Sequence, residues 1–320
     1  MKFHNLKRII WWLRFHVQRF PRKFCNTVVY YLCDKKKVIV VNAPIFQTLG
    51  KIRPYNIGDD LNCPLLEALS GKRVFGNWTF YHSKDLSSVM AIGSVIDQYG
   101  NKQSTVWGAG ILLPHQTSHC GADYHEYNIK KVCAVRGKKT RHLLIEAGID
   151  CPEVYGDPAL LMPYIYNPQV QRIKGRIGFI PHYVDLKDEH FKRLINEAGE
   201  DALLINVQNY KSWKDVINQI CSCDFVVSSS LHGLILSDAY GVPNLWVTLP
   251  KALPGGEFKF EDYYSAVGKV PQPFKICDDT QLSALVEKKR NYEFINFDPR
   301  PLLRACPFEI VHSTIKSLLS

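Results

Sequence analysis

Twice along this chain, short runs of β-branched and apolar residues alternate with segments whose apolar residues return at helical period. The first set begins at "KVIVVNA" (37–43) and passes through the helical "GDDLNCPLLEALSG" (58–71), which a glycine closes. It continues through the apolar runs "SSVMAIGSVI", "STVWGAGILL" and "KVCAVRG", the last leading into helical "KKTRHLLIEAG". The second set starts at "GRIGFIPHYVD" (175–185), then helix-like "EHFKRLINEAGE", strand "DALLINVQ", helix "SWKDVINQICSC" and strand "DFVVSSS". Helix "GLILSDAYG", strand "NLWVTL" and helix "KFEDYYSAVG" complete it. Such alternation builds a parallel sheet covered by helices, and the turn-rich "LMPYIYNPQVQRIKG" separates the two sets. The pattern predicts an α/β protein of two Rossmann-like, doubly wound domains facing across a cleft. Their expected extents are 38–170 and 171–320, the second ending in a C-terminal helix. With 320 residues, 46% of them apolar, the chain is long enough to fill two cores.

The formal charge of +10 is not spread over those domains. Residues 1–37 hold ten of the forty Lys and Arg and one of the thirty acids, so the remaining chain is nearly neutral. A neutral body argues against a nucleic-acid partner. Within the basic segment, Leu6, Ile10, Leu13, Val17 and Phe20 form one helical stripe, with Lys7, Arg8, Arg14 and Arg19 off it and Pro21 as the stop. The longest apolar run there, "IIWWL", is far short of the roughly 20 residues that span a bilayer. Residues 1–22 therefore read as an interfacial helix on an anionic membrane surface, or else as an arm docked on its own domain or on a partner. Ten cysteines without a signal-peptide pattern read as reduced thiols. Cys221 and Cys223 form one close pair with no second pair at zinc spacing, so no metal is expected.

Ligands of open α/β sheets bind beyond the carboxyl ends of the strands, which gives weight to residues at strand-to-helix transitions. His232 stands at such a point, after Ser228, Ser229 and Ser230 and before Gly233, which opens a helical pattern. Backbone N–H groups at a helix start favour phosphate or carboxylate, and an imidazole beside them can donate to that anion or move a proton. The structural alternative is a histidine bonded to backbone carbonyls at a strand end.

Arg136 ends the run "VCAV"; its planar fork suits a carboxylate or phosphate, the alternative being an ion pair with an acid across the domain interface. In "RPYNIGDDLN", Gly58 gives a tight turn and Asp59 or Asp60 a helix cap, while Asn56 and Asp59 are candidates for substrate hydroxyls. Gly108 and Gly110 in "VWGAG" permit close backbone approach, by a ligand or by packing. "GEFKFEDYYSAVG" has the mixture of an amphipathic helix with a solvated charged face, yet its place after a strand makes Lys259 a candidate as well.

Taken together, "YNIGDDL", "VWGAG", "AVRGKKT", "YGDPALL", "IGFIPHYVD" and "VVSSSLHGLILSDAYGVP", in this order and spacing, resemble the polysaccharide pyruvyl transferase family over roughly residues 38–270. The serine-rich strand running into "SLHG" and then "A-x-G-x-P" is its most specific part. The resemblance implies a GT-B-like fold and transfer of pyruvate from phosphoenolpyruvate onto a sugar of a polysaccharide or lipid-linked glycan, as a ketal, with release of phosphate. It implies that Arg136 and His232 are the catalytic pair at the donor. Ser229, Ser230, Gly233, Asn56, Gly58, Asp59, Gly108, Gly110, His182 and Lys259 are the substrate-binding candidates. Many members follow the arginine with an acidic residue and a serine, where this chain has Gly137 and Thr140. Phosphoenolpyruvate is a co-substrate, and neither metal nor further cofactor is implied. Acceptor contacts are expected from the loops near 44–57 and 76–85. The expected location is cytoplasmic, at the membrane face where lipid-linked glycans are assembled.

Two other readings share this alternation. A GT-B glycosyltransferase using a nucleotide sugar would enlist Glu257 for the ribose and Tyr263 for the base. A non-catalytic glycan-binding protein of the same fold would bind without phosphate release.

Overall fold

Short strands rich in valine, isoleucine and phenylalanine bury both faces when helices cover the sheet on each side, and this shapes both halves of the molecule. The computed structural model describes residues 23–48, 51–79, 86–113, 127, 129–251 and 253–319. The basic stripe within residues 1–22 lies outside the described residues. Among those described, no helix is long and apolar enough to cross a membrane.

The first half contributes β1 (Val38–Val41), β2 (Gln47–Thr48), β3 (Lys51–Ile52), β4 (Arg73–Gly76), β5 (Ser88–Met90), β6 (Ser104–Trp107) and β7 (Lys131–Ala134). Five of them form a parallel sheet in the order β4-β1-β5-β6-β7, and β2 and β3 pair separately and antiparallel. The second half contributes β8 (Ile177–Ile180), β9 (Ala202–Leu204), β10 (Phe225–Ser228), β11 (Asn244–Thr248) and β12 (Phe274–Lys275), all parallel in the order β12-β11-β10-β8-β9. All four residues of β8 and of β10 are buried, as befits central strands. Two parallel sheets flanked by helices, facing a cleft, are the architecture that the alternation predicts.

Each sheet has one point where the chain reverses direction across it. From β1 the chain goes to β4 on one side and returns to β5 on the other; from β8 it goes to β9 and returns to β10. Crevices therefore open after β1 and β5 and after β8 and β10, and ligands collect in such crevices.

The halves are joined by more than the linker. The Ile57 N–H donates to the Val207 carbonyl (2.9 Å), and helix Lys138–Glu146 meets helix Phe258–Val267, where the Lys138 N–H donates to the Ser265 hydroxyl (2.9 Å). Late in the chain, the Leu302 carbonyl accepts from the Trp107 indole (2.8 Å) and the Val311 N–H donates to the Leu69 carbonyl (2.7 Å), so the last residues pack on the first half. One apolar cluster runs through both halves, and a second covers the outer face of the second sheet.

Strand β4 falls in "GKRVFGNW", which the periodicity leaves unassigned. Four residues between charged and glycine neighbours give no helical or alternating signal, and the β1 partner is what makes them a strand, in the register Val38 to Arg73 through Val41 to Gly76. The turn-rich linker holds a short helix, Met162–Ile165, before an irregular stretch over 166–176. The nine cysteines among the described residues are free thiols.

Candidate active site

The serine run positions the loops around it. The Ser228 hydroxyl accepts the Ser230 N–H (3.0 Å) and lies 2.9 Å from the Ile180 carbonyl, tying the ends of β10 and β8. The Ser229 hydroxyl accepts the His182 N–H (2.9 Å) and donates to the Asp185 carboxylate (2.7 Å), which fixes the turn carrying His182. Helix Leu231–Ala239 then starts with no side-chain cap. Its first N–H groups are left for another acceptor. Gly233 allows the helix to lie on β8, since a Cβ there would be 2.5 Å from the Ser228 hydroxyl and 2.8 Å from Ile180.

Across the cleft, Asn56 caps helix Ile57–Asp60 by accepting from the Gly58 N–H (3.3 Å). Asp60 instead reaches back to the N–H groups of Tyr55 (2.8 Å) and Asn56 (3.2 Å), so the expected aspartate cap is an asparagine. Gly58 does more than turn the chain. A Cβ on it would sit 2.1 Å from Nδ1 of His232, so only glycine lets this helix touch the imidazole.

Between these parts lies a cavity of about 300 Å³, where the crevices of both sheets meet. Pro44, Gly93 and Ser94 line it from the loops after β1 and β5, and Asn56 and Asp59 from the adjoining helix. His182, Ser230, His232 and Lys259 line it from the second half. Topology thus gathers Asn56, Asp59, His182, Ser230, His232 and Lys259 at one cavity.

The electrostatics are unusual for so small a space. Lys259 is 5% exposed, and its ammonium makes no hydrogen bond or ion pair among the described residues. Burial, then repulsion from Arg136, brings its pKa down to about 8, against the pull of Asp185. His232, its side chain 12% exposed, is pushed down to about 3 by burial and by Arg136 and Lys259. His182 is pushed down to about 3 by burial, Lys259 and His232. Both imidazoles are therefore neutral at pH 7 while the ammonium remains mostly charged. Asp157, which the sequence reading passed over, lies 3.8 Å from Nε2 of His232 and is raised to about 7, chiefly by burial. Neither that carboxylate oxygen nor Nε2 has a hydrogen-bond partner among the described residues.

Arg136 is not a wall of the cavity. Its Nε donates to Asp262 (3.0 Å), one terminal nitrogen donates to the Ser94 hydroxyl and the other to the Ile111 carbonyl (3.1 Å); both ions of the Arg136–Asp262 pair are fully buried. The ion pair across the interface is the arrangement found, and the guanidinium acts on the cavity through its charge and through Ser94. Asp262 also accepts from the Thr140 N–H (2.8 Å) and hydroxyl (2.7 Å). The departure at Gly137 has a physical reason, because a Cβ there would fall 1.8 Å from the Asp262 carbonyl oxygen. The acid is supplied from the opposite helix instead.

Other expected site residues lie behind the walls. A Cβ on Gly108 would strike Pro158 (2.3 Å) and one on Gly110 the Arg136 guanidinium (2.3 Å), so both glycines serve packing rather than a ligand. Ser229 and Gly233 support the loops without lining the cavity. The charged residues of helix Phe258–Val267 divide, for Lys259 and Asp262 are buried while Glu261 stays partly exposed and pairs with Lys139. Tyr263 is fully buried with its hydroxyl on Asp238 (2.7 Å), which removes it as a base-stacking residue, and Glu257 is exposed and does not line the cavity.

Residues 56–249, more than half of the chain, match the family described as polysaccharide pyruvyl transferase. An uncharacterized protein of Acanthamoeba polyphaga mimivirus is 32% identical over 211 residues, which cover 65% of this chain and 70% of that protein. The succinoglycan biosynthesis protein ExoV of Rhizobium meliloti is 26% identical over 256 residues, 77% of this chain and 73% of that one. Asp59, Arg136, His182 and His232 fall inside the matched region, and Lys259 just beyond it.

Proposed function

Because the chain belongs to the polysaccharide pyruvyl transferase family, we propose that it moves pyruvate from phosphoenolpyruvate onto two hydroxyls of a glycan sugar, forming a ketal and releasing phosphate. The observation that carries this reading is the ammonium of Lys259, unpaired among the described residues and buried beside His182 and His232 at an uncapped helix start. A buried cation without a direct ion-pair partner is costly, Asp185 acting on it only from a distance, and an anion entering the cavity offsets that cost. Phosphoenolpyruvate carries a phosphate and a carboxylate on three carbons. Lys259, the helix N–H groups and the neutral imidazoles supply donors for both ends. His232, lacking the imidazolium proton, serves as a hydrogen-bond donor or proton acceptor toward the departing phosphate.

The acceptor enters from the first half. A neighbouring cavity of about 220 Å³ shares Tyr55 with the donor cavity and is lined by Phe46, Arg53 and Trp78, from the loops expected to contact the sugar. Its half-exposed aromatic rings offer apolar faces against which a sugar ring packs. The name of the relative that acts in succinoglycan biosynthesis is in keeping with a glycan acceptor.

Thermal stabilisation by phosphoenolpyruvate, beside UDP- and GDP-sugars, tests the donor, and phosphate release with a panel of synthetic and lipid-linked glycans tests the reaction. Stabilisation by phosphoenolpyruvate with acceptor-dependent phosphate release is expected. Stabilisation by a nucleotide sugar alone would refute the reading, and binding without phosphate release would identify a non-catalytic protein.

A further inference from the structure

Ketal formation from an enol phosphate sets a proton balance. The methylene carbon C3 must gain one proton, and two sugar hydroxyls must each lose one. One of these ends on C3 and the other leaves with phosphate, so the site needs a group that first gives a proton and then takes one back.

The second-half wall is poorly suited to giving. His182 and His232 each sit among cations and are neutral. Lys259 is needed as a charge. The phenol of Tyr183, and that of Tyr99 on the first-half wall, are weaker acids than free phenol because they are buried. Among the described residues that line the cavity, Asp59 is the only carboxyl group.

Its placement fits the task. Asp59 is 6% exposed and belongs to helix Ile57–Asp60, immediately after the glycine in contact with the His232 ring. Oδ2 accepts from the Asn56 amide (2.9 Å), which fixes the carboxyl plane, while Oδ1 has no donor among the described residues. Gly93 keeps the space before Oδ1 open, since a Cβ there would lie 3.1 Å from it. The groups that act on this carboxyl are Asp60 on its own helix and the Asn56 amide before it, while Tyr99 of helix Ile96–Tyr99 and Tyr210 of the segment after β9 lie near enough to feel its charge. Burial and the neighbouring Asp60 raise it to about 8, opposed by Asn56, so it keeps its proton at neutral pH.

The geometry points to Asp59 as the catalytic acid–base of pyruvyl transfer, a role that rests on the function proposed above. The O–H bond of Asp59 breaks as the C2=C3 π pair forms the new C3–H bond, and positive charge develops at C2, shared with the phosphate-bearing oxygen. A sugar hydroxyl oxygen then bonds to C2 while its proton passes to the Asp59 carboxylate. The second hydroxyl bonds to C2 as the C2–O bond to phosphate breaks, and its proton leaves on the phosphate as hydrogen phosphate. Asp59 finishes in the protonated form in which it began.

The test compares wild type with Asp59→Asn and Asp59→Glu, using the glycan that supports phosphate release. Asp59→Asn keeps the shape and the Asn56 contact but has no proton to give. It is expected to bind phosphoenolpyruvate within about threefold of wild type in a thermal-shift titration, and to lose kcat by on the order of 10²–10⁴-fold. Asp59→Glu should recover part of that loss. Measured at saturating phosphoenolpyruvate, where the bound anion holds the Lys259 ammonium charged above its free value of about 8, wild-type kcat should fall as pH rises through about 8, and this limb should be missing from the residual activity of Asp59→Asn. A loss below about 100-fold, or an unchanged pH profile, overturns the role of Asp59 and leaves the parent function standing. A wild-type protein that binds no phosphoenolpyruvate, or releases no phosphate from it, overturns the parent function and this role with it.

Discussion

Arg136 and Lys259 are both buried beside the cavity, one following a strand of the first sheet and the other on a helix of the second half, and among the described residues only the first has an ion-pair partner. Around Arg136 stand the Asp262 carboxylate, the Ser94 hydroxyl and the Ile111 carbonyl, so the guanidinium fastens one half to the other. Around Lys259 no such partners stand among the described residues. A paired buried charge adds little net stability but fixes an arrangement, whereas an unpaired one lowers stability. The contrast assigns the two cations separate work: Arg136 holds the walls in register, and Lys259 waits for an anion.

Removing the counter-charge is the most forceful way to break this contrast. Asp262→Ala strands Arg136 and withdraws the acceptor of the Thr140 N–H, and should cost about 3–5 kcal/mol in denaturant unfolding. The double variant Arg136→Met with Asp262→Ala should recover much of that loss, because no buried charge remains unpaired. A single-variant cost below about 1 kcal/mol would mean that the ion pair is not what joins the halves.

The opposite behaviour is expected at the second cation. Lys259→Met should leave stability unchanged or raise it, since an unanswered ammonium disappears, while weakening phosphoenolpyruvate binding by about 100-fold or more, as loss of a buried charge-assisted contact does. Titration calorimetry with folding monitored in parallel separates the two effects. Binding within about threefold of wild type would remove Lys259 as the anion's partner.

This division explains which parts of the site the sequence discloses. His232 is conspicuous because a strand ends and a helix begins there, and a parallel sheet turns its reversal point into a crevice. Lys259 is a candidate by its place after a strand, but its burial is hidden, because helix Phe258–Val267 has polar residues on the side that meets the other half. A periodicity argument equates a polar side with solvent; here Lys259 and Asp262 are buried on a helix that faces the first half. The Arg136–Asp262 pair joins residues 126 positions apart, a distance over which pattern carries no information. Glycines mislead in the same way: "NIGDD" reads as a turn, and only the assembled halves reveal that Gly58 makes room for an imidazole. The strands were legible wherever they bury β-branched runs, and obscure at β4, whose identity comes from its neighbour.

His232 offers the finest test of the comparison, because both cations repel its protonated form. In the free protein the ring should stay neutral down to about pH 3, as nitrogen-15 spectra of histidine-labelled protein would show, with His232→Gln identifying the signal. A bound phosphate or carboxylate offsets that repulsion, so the pKa in the complex must exceed the free value. Binding then takes up protons: affinity rises as pH falls through the bound-state pKa and levels off below the free one. If the anion sits on Lys259, the Lys259→Met variant should already show a raised free-state pKa and a smaller further rise with ligand. If the ligand instead answers Arg136, the rise on binding should survive in Lys259→Met, and the assignment of the two cations would have to be exchanged.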